Sequence, residues 1–252
     1  MQTDSGGRIP GIVAIIPARL GSTRLPRKML VPLGGRPLVE HVWRRLRRCR
    51  KLGGVYIATD SIEIAQTAEA FGAACVMTSK NCPSGSDRVM EALETLGAWG
   101  AINVQGDLPF MSAALVDKLA EALAQSDGRT VFTLARRERG RALPQSPHMV
   151  KVVKGSDDRA LYFSRSAVPF ANDSKAFYYE HIGVYAYPRA LLKQFVAWGP
   201  SPLERREKLE QLRFLEHGIR IQVITTTCKS LSIDTAADLK RAATRLRRRD
   251  RW

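Results

Sequence analysis

Cysteine is scarce and unpaired in this 252-residue chain: Cys49, Cys75, Cys82 and Cys228 form no C-x-x-C pair. Such spacing suggests neither a zinc centre nor a disulfide framework, so reduced cysteines that mostly pack are expected. Aromatic residues make up 7% of the chain, which argues against a base-stacking nucleic-acid platform. Acids are also short against bases, 24 against 40, leaving a formal net charge of +16. The longest apolar run near the start is far below the length that spans a bilayer. No cationic segment followed by a long apolar core precedes it, so a cytoplasmic protein without a membrane segment is expected. The phosphate loop GxxxxGK[ST] and the dinucleotide fingerprint GxGxxG are both absent.

What is present is the composition of a globular chain, 44% hydrophobic and 25% charged. Its length suits one large domain, or a domain with a smaller lobe. The excess charge concentrates in two runs, Arg44 to Lys51 and Arg241 to Arg251. Both sit on helical patterns: Leu38, Val39, Val42, Trp43 and Leu46 lie beneath the first, and Leu239, Ala242, Ala243 and Leu246 beneath the second. Such clusters can bind nucleic-acid backbones. With no nucleic-acid motif beside them, a solvated basic face that concentrates anionic substrate is the better reading.

The most informative stretch is Ile12-Val13-Ala14-Ile15-Ile16-Pro17, followed by a loop from Ala18 to Lys28. A short β-branched run emptying into Gly21, Ser22 and the cations Arg19, Arg24, Arg27 and Lys28 reads as a buried parallel strand feeding a polyphosphate site. Glycine lets backbone amides approach phosphate oxygens closely. Strand-like and helix-like patterns then alternate. Helices are expected over 37–52, 62–71, 86–96 and 113–123, and strands over 55–59, 75–77 and 101–105. That order predicts an α/β fold, a doubly wound, mainly parallel sheet covered on both faces, with ligands at the carboxyl ends of its strands. The second half reads as strands over 150–153, 160–163 and 182–187, a helix over 203–216, a strand over 220–226 and a closing helix over 236–246. The first two of those strands suggest a hairpin or small lobe. Residues 1–10 are expected to be a disordered tail.

Several residues are candidates for chemistry. Asp107 follows a buried-looking strand through Gln105 and Gly106. Asp234 precedes a helix start, where a simple N-cap is the competing role. Two carboxylates meeting beside a cationic loop suit Mg²⁺ on a nucleoside triphosphate. Ser84-Gly85-Ser86-Asp87-Arg88 opens a helix whose free amides could hold a base or phosphate, or merely be capped. His181 and Tyr185 share one face of a strand, where a core histidine is the ordinary fate. Glu210 and Gln211 fall mid-helix, where a solvated face is the default.

The order of the segments IIPARLGSTRLPRK, NVQGD, VKVV, ALYFSRSAVP, HIGVYAY, SPLE, LEQLR and IDT, from Ile15 to Asp234, resembles that of the CMP-Kdo synthetases. These 3-deoxy-manno-octulosonate (Kdo) cytidylyltransferases have the nucleotidyltransferase form of the doubly wound fold. The resemblance implies Mg²⁺-dependent transfer of CMP from CTP to an acidic sugar. It implies one domain over 11–252, with a CTP-binding half (11–135) and an acceptor-binding half (136–252) whose lobe forms a homodimer. Ala18, Arg19, Ser22, Arg24, Lys28, Ser84, Gly85, Arg88, Gln105 and Gly106 would bind CTP. Gln105, Arg165, His181, Tyr185, Glu210 and Gln211 would meet the acceptor. Asp107 and Asp234 would hold the metal, with Lys28 as the third catalytic residue. The chain departs from the family pattern at Cys82, Leu108, Ser146-Pro147-His148, Glu180 and Ala236-Ala237. Those changes gather toward the acceptor, so Kdo is the first expectation, with an amino-Kdo or a small phosphonate as alternatives. A non-catalytic nucleic-acid-binding relative is the rival of another class.

Overall fold

Gly11 sets where the first strand becomes regular. The structure is a computed structural model describing residues 9–22, 24–139, 146–170 and 177–249. Strand β1 spans Ile9–Ala18, so it begins within the stretch expected to be a tail, of which residues 1–8 lie outside the described residues. Gly11 takes φ 83°, and the register of β1 shifts between Ile9 and Val13, as at a glycine bulge. Beyond it the strand alternates between two cores. Ile12, Ala14 and Ile16 enter one apolar layer, whereas Val13 and Ile15 enter the other.

After β1 come β2 (Pro32–Leu33), β3 (Arg36–Pro37), α1 (Leu38–Leu46), β4 (Leu52–Thr59), α2 (Ile62–Ala70) and β5 (Ala74–Met77). They are followed by α3 (Gly85–Leu96), β6 (Gly100–Val104), α4 (Ala113–Ala124) and β7 (Thr130–Arg139). The rest comprises β8 (Lys151–Lys154), β9 (Ala160–Ser164), β10 (Phe177–Pro188), α5 (Arg189–Trp198), α6 (Pro202–Glu207), α7 (Leu212–Glu216), β11 (Arg220–Thr226) and α8 (Ala236–Arg249). The main sheet runs β11-β7-β10-β6-β1-β4-β5. β5, β4, β1 and β6 are parallel, each joined through a helix, as parallel neighbours require. β10 enters antiparallel between β6 and β7, and β11 lies parallel to β7. The β8–β9 hairpin hangs from β10. α1 and α4 pack in the first layer, and α3, α5 and α7 in the second.

Three expectations need correction. The first helix ends at Leu46, and β4 already starts at Leu52. The helix expected over 203–216 is two helices, because Lys208 caps α6 in the left-handed conformation at φ 55°. Glu210 therefore lies between helices and Gln211 at the N-cap of α7, not mid-helix. Strand β7 and helix α5 were not expected at all. The alternation of Thr130 to Ala135 runs into a charged Arg-Arg-Glu-Arg end that masks it, and α5 follows β10 with no loop.

Candidate active site

The carboxyl ends of β1 and β6 open into two adjoining cavities. One, about 400 Å³, is walled by Ala18, Arg19, Gly21, Ser22, Arg24 and Lys28 on one side and by Cys82, Ser84, Gly85, Arg88 and Gly106 on the other. The second, about 570 Å³, is lined by His148, Met149, Arg165, Glu180, His181, Tyr185, Lys208 and Gln211, among others. Arg24, Gly85, Gln105, Asp107, Glu210 and Asp234 border both. A Cβ on Gly106 would run into the Met29 side chain, so glycine there lets the strand end pack closely against the end of the cationic loop.

The junction is built on Lys28. Arg27, at φ 55°, turns the chain into the short 3₁₀ helix Lys28–Leu30, a conformation uncommon for a non-glycine residue. Lys28 Nζ then donates to Asp107 Oδ2 at 2.7 Å and to Asp234 Oδ1 at 3.0 Å. Arg24 Nη2 donates to the same Asp234 oxygen at 3.1 Å. Burial pulls the Lys28 ammonium down, but the two carboxylates outweigh it and leave its pKa above the ordinary value. Burial pushes the Asp107 carboxyl up beyond the opposing pull of Lys28.

Asp234 is free for this role because another residue pair caps α8. Thr235 Oγ1 accepts from the Asp238 backbone at 3.2 Å, while Asp238 Oδ2 accepts from the backbone N–H groups of Thr235 and Asp234 at 2.8 and 3.1 Å. The Asp234 side chain thus does not serve as the cap. Ser84, by contrast, is a true N-cap, accepting from Ser86 and Asp87 at 3.1 and 3.3 Å. It also brings Glu210 in: Ser86 Oγ donates to Glu210 Oε2 at 2.7 Å, and Ser84 Oγ reaches the same oxygen at 3.2 Å. Burial raises the pKa of Glu210 despite those two hydroxyls.

Other expected residues take more local roles. Arg88 is 3% exposed and pairs with Asp60 at 3.3 Å and with Thr78, so it braces the cavity wall with its charge already engaged. Gln105 donates to Asn103 at 2.9 Å. The Arg165 guanidinium donates to the carbonyls of Glu207 and Pro147 at 2.9 and 3.0 Å, and to that of Lys208 at 3.4 Å. His181 sits edge-on to Phe163 with centroids 4.9 Å apart, lies 5.5 Å from the Tyr185 ring, and shares a hydrogen bond of 3.0 Å with Thr133. Burial lowers its pKa to about 3, so it is a neutral imidazole in the wall. Gln211 is buried, and its Nε2 has no hydrogen-bond partner among the described residues, a free donor in the cavity wall.

Residues not foreseen for the site also line the two cavities. Asn103, Tyr187 and Lys208 line the larger cavity, as do the departures Leu108, His148 and Glu180. Lys208 carried no signal in sequence, since its position depends on the helix break it makes. Cys82 lines the smaller cavity and donates to Glu91 at 3.1 Å.

Cations, paired carboxylates and a helix start converging at strand ends define a nucleotidyltransferase site. The family model described as cytidylyltransferase matches residues 13–221. A 3-deoxy-manno-octulosonate cytidylyltransferase of Afipia carboxidovorans is 47% identical over 238 residues, covering 91% of this chain and 94% of that protein. An 8-amino-3,8-dideoxy-manno-octulosonate cytidylyltransferase of Shewanella sp. strain ANA-3 is 38% identical over 240 residues, covering 93% and 98%. The solved structure of CMP:2-keto-3-deoxy-manno-octonic acid synthetase complexed with CTP superposes with TM-score 0.90 at 34% identity, covering 94% of this chain and 99% of that one. The chain belongs to this family of enzymes, the CMP-Kdo synthetases or 3-deoxy-manno-octulosonate cytidylyltransferases.

Proposed function

We propose that this protein transfers CMP from CTP to the hydroxyl of a 3-deoxy-octulosonate, Kdo in the first place, releasing pyrophosphate. The observation that carries this reading is the junction where Lys28 joins Asp107 to Asp234 between two cavities, one cationic and one mixed. CTP lies in the smaller cavity, its phosphates against Arg19, Ser22, Arg24 and Lys28. Its base and ribose lie by Gln105 and the start of α3. The acceptor lies in the larger cavity, its carboxylate facing Arg165, whose planar fork suits that group. His181, Tyr185, Glu210 and Gln211 surround the sugar.

The acceptor hydroxyl gives up its proton to solvent as its oxygen attacks the α-phosphorus in line and the bond to pyrophosphate breaks. Lys28 and Arg24 stabilise charge on the departing phosphates, and the rigid strand ends hold donor and acceptor in reach. Two carboxylates of this kind fit a divalent cation of the Mg²⁺ type, which takes one or two carboxylates plus phosphate oxygens. Asp107 and Asp234 would hold it, and it would supply further neutralisation of the phosphates. The reaction needs no covalent intermediate on the protein.

Glu180 favours a second acceptor, the 8-amino sugar. Arg136 Nε and Nη2 both donate to Glu180 Oε2, at 3.0 and 2.7 Å, and Arg136 is shared with Glu138. Two carboxylates against one guanidinium leave negative charge beside the cavity, suited to an ammonium on the acceptor. A homodimer fits the exposed apolar side chains Leu161, Phe170 and Phe177 of the second half. Among the described residues no helix is long and apolar enough to cross a membrane, and a cytoplasmic setting agrees with that.

The test is pyrophosphate release from CTP and Mg²⁺ with Kdo, 8-amino-Kdo and small phosphonates supplied separately. Release with an octulosonate is expected. Release with a phosphonate alone would keep the reaction and reassign the acceptor. Salt-dependent nucleic-acid binding with no release would overturn the reading.

A further inference from the structure

Strand β8 (Lys151–Lys154) opens on a charge that the reaction does not use. Lys151 is 0% exposed. Its ammonium donates to the carbonyls of Met149 at 2.7 Å, Ser146 at 3.2 Å and Arg165. Three N–H donors meet three carbonyl acceptors, and among the described residues no carboxylate pairs with them. A buried cation solvated only by backbone dipoles is costly, and an apolar side chain would pack in a strand at less expense. What the ammonium does that an apolar residue cannot is gather three carbonyls at one point.

The place of that point matters. From next to it, the Arg165 guanidinium reaches the carbonyls of Pro147, Glu207 and Lys208. Glu207 closes the knot by accepting from Ser164 Oγ at 2.7 Å and from the Arg165 backbone at 3.0 Å. Two neighbouring cations therefore pin the 146–149 loop and the break between α6 and α7. Those segments bring His148 and Met149 to one side of the larger cavity, and Lys208 to Gln211 to another.

We propose that Lys151 is a positioning residue for the acceptor, its ammonium fixing the separation of two cavity walls. This rests on the reading of the larger cavity as the acceptor site. Burial lowers the Lys151 pKa, and the neighbouring Arg165 charge adds to that, against the opposing field of Glu207.

The experiment measures pyrophosphate release by the full chain, with the KM for CTP and for the octulosonate determined separately. Lys151→Gln is expected to raise the acceptor KM about tenfold while the CTP KM stays within about twofold, since a neutral amide with two N–H donors leaves at least one carbonyl unmet and removes the charge from all three bonds. Lys151→Arg keeps the charge but cannot aim three donors at one point, so a rise of about threefold is expected. Because Arg preserves the cation, that variant alone decides the matter if the Gln protein does not fold. Parallel rises in both KM values, or an Arg variant identical to wild type, would overturn the proposal. Absence of release by the wild type with any octulosonate would instead overturn the reaction, and this role with it.

Discussion

The backbone N–H of Ile233 donates to the carbonyl of Asp107 at 3.0 Å. That bond ties the end of β6 to the segment before α8, and it brings two aspartates far apart in sequence to the same lysine. The neighbouring residues agree with this arrangement: Ile233 is fully buried with Leu33, Leu38 and Phe110, so the backbone beneath Asp234 is fixed by packing. Precise placement of charge is what a phosphoryl-transfer site needs most.

Asp107→Asn and Asp234→Asn preserve shape and remove one charge each. Turnover should fall at least about 100-fold in either variant, the scale seen when a group stabilising transition-state charge is lost. Circular dichroism and thermal melts should show the wild-type fold. Near-normal turnover in one of them would remove that aspartate from the metal-holding role.

Lys28→Met separates two functions of the same ammonium. In the free protein the lysine occupies the space between the carboxylates, so any divalent cation has to compete with it. The variant should bind Mn²⁺ or Mg²⁺ more tightly by calorimetry, yet turn over at least about tenfold more slowly because the phosphates lose a partner. Weaker metal binding in the variant would show that Lys28 does not oppose the ion.

His181 gives the protein an acid limit. Its folded pKa of about 3 lies below the roughly 6.5 of an unfolded histidine. Between those values the unfolded chain binds a proton that the folded chain does not. This contribution is therefore whole above about pH 6.5 and is lost, by up to about 1.4 kcal/mol per pH unit, as the pH falls toward 3. Urea unfolding at pH 7, 6, 5 and 4 should show a shallower decline for His181→Gln than for wild type. Equal declines would mean that the imidazole is protonated in the fold.

The opening strand, the cationic loop and the alternation as far as α4 were legible because buried parallel strands read as continuous apolar runs and their helices as amphipathic ones. The place of Asp107 was legible because a residue just after a buried strand is expected at the sheet edge, and Asp107 borders both cavities there. The larger cavity was less legible. Its wall depends on a helix broken at Lys208, on a strand whose far end is charged, and on carbonyls gathered by a buried lysine. None of these leaves a periodic signal. The family resemblance supplied Glu210 and Gln211, whereas the spacing around them pointed to a solvated helix face.

The central claim is that the two cavities hold CTP and an octulosonate on either side of Lys28, Asp107 and Asp234. It is tested most directly by incubating the purified protein with CTP, Mg²⁺ and Kdo or 8-amino-Kdo, then quantifying pyrophosphate and the CMP-linked sugar by ³¹P NMR. The account predicts equal amounts of both products, formed only when CTP and acceptor are present together. Release of inorganic phosphate without a CMP-linked product, or no consumption of CTP with either sugar, would contradict it.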